Sequence, residues 1–137
     1  MQKTRIEYLT HTWNPIKMTC SPVSAGCANC WHIAMGKRFG KHMGKPVLKE
    51  EELVAPLRLR ASATIGVQFM GDLFHDKVSL IFIKRVFLVM QTATQHTFLV
   101  LTKRPYRMLD FIQNYAPVPA MTGATWGENY RPNNILL

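Results

Sequence analysis

Ile65-Gly66-Val67-Gln68-Phe69-Met70-Gly71-Asp72 is the stretch that decides the fold. Six residues, mostly apolar and partly β-branched, close on a glycine and an aspartate. That pattern predicts a buried strand over Ile65 to Met70. Ser79 is placed to cap the helix that follows, which should run to about Thr92. Its apolar stripe is Phe82, Val86, Val89 and Met90, with Lys84, Arg85 and Gln91 elsewhere. A second apolar run, Thr97 to Leu101, predicts another strand, closed by Thr102-Lys103-Arg104-Pro105. Tyr106 to Tyr115 then reads as a helix with Met108, Leu109, Phe111 and Ile112 as its apolar members.

The same alternation extends outward. Toward the start, Ile6 to Trp13 predicts a first strand. A loop follows, then a helix over Ala28 to Phe39 with Trp31, Ile33, Ala34 and Phe39 apolar and Gly40 as its stop. Glu50 to Arg60 reads as a short helical connector with Leu53, Val54 and Leu57 inward. Toward the end, Ala116 to Asn133 carries Pro117, Pro119 and Pro132 and should be mostly loop, and Asn134 to Leu137 begins a fourth strand. Strands apolar on both faces and joined by helices mean an α/β fold with a parallel sheet and right-handed crossovers. Ligands in such sheets sit at the carboxyl ends of the strands. Cys30, Asp72 and Lys103 should therefore share one rim.

The chain has 137 residues, enough for one domain with a real core. Its first residues alternate polar and charged side chains where a secretory signal needs an apolar segment. No apolar run approaches the ~20 residues of a membrane span. The expectation is a soluble, cytoplasmic protein whose thiols stay reduced. Seventeen Lys and Arg against eight Asp and Glu leave a formal net charge of +9. Such a field attracts nucleic acid, nucleotides or an acidic partner. Lys37, Arg38, Lys41, Lys45, Lys49, Arg58 and Arg60 concentrate it, and an ordinary solvated face is the alternative reading.

All three cysteines fall in one loop, Thr19-Cys20-Ser21-Pro22-Val23-Ser24-Ala25-Gly26-Cys27-Ala28-Asn29-Cys30. An odd number so close cannot close a disulfide framework. Three convergent thiolates suit either an iron–sulfur cluster with one open iron or a zinc site completed by histidine. For zinc, His32 is the nearest fourth ligand, yet on a helix it points away from Cys30; His11 and His42 are the alternatives. His75 and His96 read as turn and surface residues. No Ser-His-Asp order, phosphate-binding loop or His-Glu-x-x-His stretch supports a hydrolase or NTPase.

Thr12-Trp13-Asn14-Pro15, the three-cysteine loop, Met70-Gly71-Asp72-Leu73-Phe74-His75 and Leu101-Thr102-Lys103-Arg104-Pro105 together resemble the signatures of a three-cysteine family found in phages and bacteria. That family is similar to radical S-adenosylmethionine enzymes. The resemblance implies a partial (β/α) barrel of about three βα units plus the start of a fourth parallel strand, with residues 1–137 as one N-terminal half-barrel domain. It implies that Cys20, Cys27 and Cys30 ligate a 4Fe-4S cluster whose fourth iron chelates S-adenosylmethionine, which the reduced cluster would cleave to a 5′-deoxyadenosyl radical. Gly71 and Asp72 would contact the cofactor's ammonium. Thr102, Lys103 and Arg104 would bind its carboxylate or ribose, or an anionic substrate. The cysteine spacing, x6 then x2, departs from the x3 then x2 usual for radical enzymes. The resemblance also implies further strands beyond Leu137, so a C-terminal complement or self-association is expected to complete the sheet, with radical activity only in the completed protein. Competing readings are a zinc-binding basic module associated with nucleic acid, and a non-catalytic remnant that binds a protein partner.

Overall fold

The computed structural model of the chain describes residues 1–17, 20–40, 46–116 and 133–137. In chain order its elements are β1 (Gln2–Lys3), β2 (His11–Trp13), β3 (Ile16–Lys17), α1 (Trp31–Arg38), β4 (Val47–Leu48), α2 (Glu50–Leu53), α3 (Ala55–Arg58), β5 (Thr64–Val67), α4 (Leu80–Thr92), β6 (Thr97–Val100), α5 (Pro105–Asn114) and β7 (Ile135–Leu136). The main sheet runs β1-β2-β5-β6-β7, and β3 pairs with β4 apart from it. β2, β5, β6 and β7 are parallel, in register Trp13 to Val67 to Val100 and Phe98 to Ile135; β1 joins this sheet antiparallel, and the β3–β4 pair is antiparallel as well.

Helices α4 and α5 pack on one face of this sheet. Trp13, Ile65, Val67, Phe98, Val100 and Ile135 project into a single core with Phe82, Ile83, Val86, Phe87 and Met90 of α4 and Phe111 and Ile112 of α5. The alternating strand positions Thr12, Gly66 and Leu99 lie on the opposite face, as the two-residue period of a strand requires. Ser79 caps α4 by accepting from the Phe82 amide, and Pro105, which has no amide hydrogen to leave unpaired, opens α5. Among the described residues no helix is long and apolar enough to cross a membrane.

Several local expectations are corrected. Ile6 to Leu9 is not strand: the Leu9 amide bonds to the Ile6 carbonyl, and this turn folds the chain back so that Gln2 and Lys3 pair with Thr12 and His11. The cysteine-side helix starts at Trp31 rather than Ala28, because Ala25–Cys27 forms a separate 3-10 turn. Its inward residues are His32, Ile33 and Gly36, whereas Trp31 and Phe39 are exposed. The 50–60 connector is two single turns, with Leu53 and Pro56 buried and Val54 and Leu57 outside. Leu109 is likewise exposed. His96 is buried, not superficial, its Nε2 reaching the Pro56 carbonyl at 3.0 Å, while His75 is a turn residue as expected, with the Val78 amide on its carbonyl, but a buried one. The proline-bearing loop before β7 lies, but for Ala116 and Asn133, outside the described residues, as does His42.

Phe87 is fully buried, 6.3 Å from the Phe74 ring and 4.9 Å from that of Phe111. Phe87→Ala should cost about 3–5 kcal/mol in urea unfolding, the usual range for emptying a buried aromatic site. Ile81→Ala on the exposed side of the same helix should stay within about 0.5 kcal/mol.

Candidate functional site

The carboxyl ends of the parallel strands carry three loops, and one carboxylate stitches two of them together. Asp72 is 3% exposed. Its Oδ1 accepts from the Phe74 amide at 2.9 Å and the Thr102 hydroxyl at 2.7 Å. Its Oδ2 accepts from the Lys103 amide at 3.2 Å and the Arg104 guanidinium at 3.1 Å. The loop can present Asp72 inward because Gly71 has φ 144, a conformation that side-chain-bearing residues rarely adopt. Gln68, at φ 55, turns the chain out of β5 just before it. Its buried amide holds both backbone groups of Ile16, accepting at 3.0 Å and donating at 2.9 Å.

Arg104 carries the stitching to the cysteine loop. Its guanidinium donates to the Cys20 sulfur at 3.6 Å and to the Ser21 carbonyl and hydroxyl at 3.3 and 3.1 Å. Its Nε faces Asp76 at 3.7 Å, an ion-pair distance too long for a hydrogen bond. Burial works against the Arg104 charge, but Cys20 and Asp72 outweigh it and raise the net pKa. Lys103 ties in the same loop by donating from Nζ to the Gly26 carbonyl at 2.9 Å. Arg107 braces the segment from below through the carbonyls of Phe74, His75 and Val78.

Ser21 and His75 lie 2.7 Å apart, yet they are not a nucleophile and its base. His75 Nδ1 accepts from the Lys77 amide, so the neutral ring carries its proton on Nε2 and donates it to Ser21. Burial and then Arg104 lower the His75 pKa and keep the ring neutral.

The result is a cavity of about 920 Å³. Every site residue expected from the sequence lines it: Cys20, Cys27, Cys30, Gly71, Asp72, Thr102, Lys103 and Arg104. All three cysteines are free thiols. The Cys27 thiol is lowered to about 7, first by its backbone hydrogen bond at Val23, then by Ser24 and the nearby Lys103 charge against the opposing effect of burial. Cys20 is raised by burial, with Arg104 pulling the other way. Among the described residues, no three His, Cys, Asp or Glu side chains are grouped to hold one metal ion. A single zinc needs its sulfurs converged at about 2.3 Å from the metal. His32 also lines the cavity, but His11 does not, since it sits at the amino end of β2.

Sequence reasoning missed Gln68, Ser21 and the N-terminal segment, of which Gln2, Thr4, Ile6 and Tyr8 line the same cavity. Gln68 had left a signal, a lone amide inside an apolar run; the others had left none.

A mostly parallel α/β sheet with a cysteine-walled cavity at its carboxyl edge defines the class of this protein. The chain belongs to the family described as Protein of unknown function (DUF5131), whose model matches residues 3–135. No curated protein and no solved structure matches it.

Asp72→Ala should cost about 3–5 kcal/mol, because it leaves the Arg104 charge buried without its partner; urea unfolding measures this. For Cys27, the folded chain releases its thiol proton near pH 7, while an unfolded thiol holds it to the ordinary value of 9.0. The unfolded state thus binds more protons between these values, and stability rises with pH across the window and falls as pH drops through 7. The melting temperature of the metal-free chain, relative to Cys27→Ser, should therefore grow from about pH 6.5 to about pH 8.5. A difference that does not vary with pH refutes the depressed thiol.

Proposed function

We propose that this chain holds a 4Fe-4S cluster on Cys20, Cys27 and Cys30 and binds S-adenosylmethionine beside it, as a radical-type enzyme on a partial (β/α) barrel. The observation that carries the reading is that the cysteine loop and both other signature loops line one cavity at the carboxyl edge of a parallel sheet. The strands β2, β5, β6 and β7 add in sequence order, with α4 and α5 on one face, which is how a (β/α) barrel is built. Bound there, the two groups would supply one-electron radical chemistry.

The chain's own residues divide the work. Arg104 orients the Cys20 sulfur and adds positive charge beside it, the kind of hydrogen bond to sulfur that tunes a cluster. Asp72 has both oxygens occupied by protein donors, so its role is to hold Arg104, Thr102 and the loop in register rather than to grip the cofactor itself. Lys103 closes the loop over Gly26 and leaves an exposed cation at the cavity. Thr12 and Gln68 line the cavity side of the sheet, where the Gln68 amide is taken up by Ile16 and Met70 and holds the wall in place. Zinc on the same three thiols, completed by His32, which lines the cavity, is the competing reading.

Anaerobic reconstitution should load about four irons and four sulfides per chain, with the broad visible absorption of such clusters. Alanine at any of Cys20, Cys27 or Cys30 should remove most of it, while Tyr106→Ala should not. Stoichiometric zinc with no iron uptake would overturn the proposal.

A further inference from the structure

The cysteine loop is held in two halves, and the two holds differ in kind. Cys20 and Ser21 are clamped from the inside. The Arg104 guanidinium donates to the Cys20 sulfur and to the Ser21 carbonyl and hydroxyl, and His75 Nε2 donates to the same hydroxyl at 2.7 Å. Arg104 and His75 are both buried, and Arg104 is itself paired with Asp72. This half is part of the frame at the strand ends.

The other half, Ser24 to Cys30, is organised by bonds within itself. The Cys27 amide donates to the Ser24 carbonyl at 2.9 Å, the Ala28 amide to Ala25 at 3.1 Å and the Cys30 amide to Cys27 at 3.2 Å. Cys27 and Ile33 of α1 are buried, yet they pack outside the core that α4 and α5 form with the sheet. Lys103 reaches this half from the frame. Its amide is anchored on Asp72 Oδ2 at 3.2 Å, and its exposed ammonium donates to the Gly26 carbonyl at 2.9 Å. The side chain thus runs from the buried anchor to the residue just before Cys27. Among the described residues the three thiols line one wall without grouping about a single point. Their separation therefore depends on how the two halves are set against each other.

We propose that Lys103 is a positioning residue for the metal centre: its grip on the Gly26 carbonyl sets Cys27 and Cys30 at a fixed place relative to Cys20. The part of this inference that concerns the metal rests on the iron–sulfur reading above; the hold on the loop does not. A charged donor on a carbonyl makes one of the stronger hydrogen bonds. Groups that orient metal ligands from behind typically cost about 10–100-fold in metal affinity when removed. Because the bond lies at the surface, losing it takes away orientation and leaves the core intact.

Lys103→Met keeps the stem and removes the donor, whereas Lys103→Arg keeps a donor. In the iron-free chain, hydrogen exchange over residues 24–30 should quicken about fivefold in Lys103→Met, the size expected for one net hydrogen bond. Lys103→Arg should recover most of the original rate, and residues 73–78 should be unaltered in both. In the reconstituted protein, anaerobic loss of iron to bathophenanthroline should be about tenfold faster in Lys103→Met and close to the original rate in Lys103→Arg. Arg60→Ala, which removes an exposed cation just before the amino end of β5, should change neither measurement. Exchange over 24–30 that Lys103→Met leaves unchanged would overturn the inference, and so would unchanged iron loss from a loosened loop. A chain that takes up no iron at all overturns the cluster reading instead, and the exchange result then decides by itself whether Lys103 holds the loop.

Discussion

The carboxyl edge of this protein depends on one buried ion pair, Asp72 with Arg104. A guanidinium sealed from water is costly unless its charge and its donors are met, and here Asp72, Ser21 and the Cys20 sulfur meet those of its two terminal nitrogens, while Nε has only the Asp76 charge at 3.7 Å. The pair spans three loops that lie far apart in sequence, so each loop's conformation is conditional on the other two. Thr102 and the Lys103 amide complete the carboxylate's coordination, which leaves Asp72 little capacity for any outside ligand. The expected cofactor-binding aspartate is thereby better understood as the anchor that positions its neighbours.

The two faces of the sheet are unequal for a simple reason. Large side chains at Trp13, Ile65, Val67, Phe98, Val100 and Ile135 point toward α4 and α5, and the alternate positions include Thr12 and Gly66. A Cβ at Gly66 would come within 2.6 Å of the Leu9 side chain and 3.0 Å of the Phe69 ring. Glycine there lets Leu9 and Phe69 lie flat on the strand. The turn at Ile6 to Leu9 and the short antiparallel β1 then bring Gln2, Thr4, Ile6 and Tyr8 onto the cavity side, where they contribute wall rather than core.

The cysteine loop shows what a six-residue spacer accomplishes. Ser21, directly after Cys20, docks on both His75 and Arg104, and the 3-10 turn at Ala25–Cys27 returns the chain so that Cys27 faces Ser24 at 3.6 Å. Cys30 then stands at the head of α1. A three-residue spacer would leave less chain for both the docking and the turn. The longer spacing, a departure when viewed as a motif, is accounted for by these contacts.

Periodicity in the sequence was enough to determine the order of the parallel strands and of α1, α4 and α5, because α4 and the β5 and β6 runs are apolar in patterns that only a helix or a buried strand satisfies, whereas the two-residue strands β1, β3 and β4 are too short to show a period. Ser79 as a cap and the expectation that Cys30, Asp72 and Lys103 meet followed from local chemistry plus the rule that loops gather at strand carboxyl ends. Tertiary structure alone decided the rest. Whether Trp31 or His32 faces inward depends on how α1 is rotated against its neighbours, since an eight-residue helix with apolar residues on several sides fits more than one rotation. His96 is buried because the Pro56 carbonyl, from a turn forty residues earlier, is there to receive it. Asp72 is an anchor because Thr102, Lys103 and Arg104 close on it. In each case the deciding partner is distant along the chain, so no local pattern carries its signature.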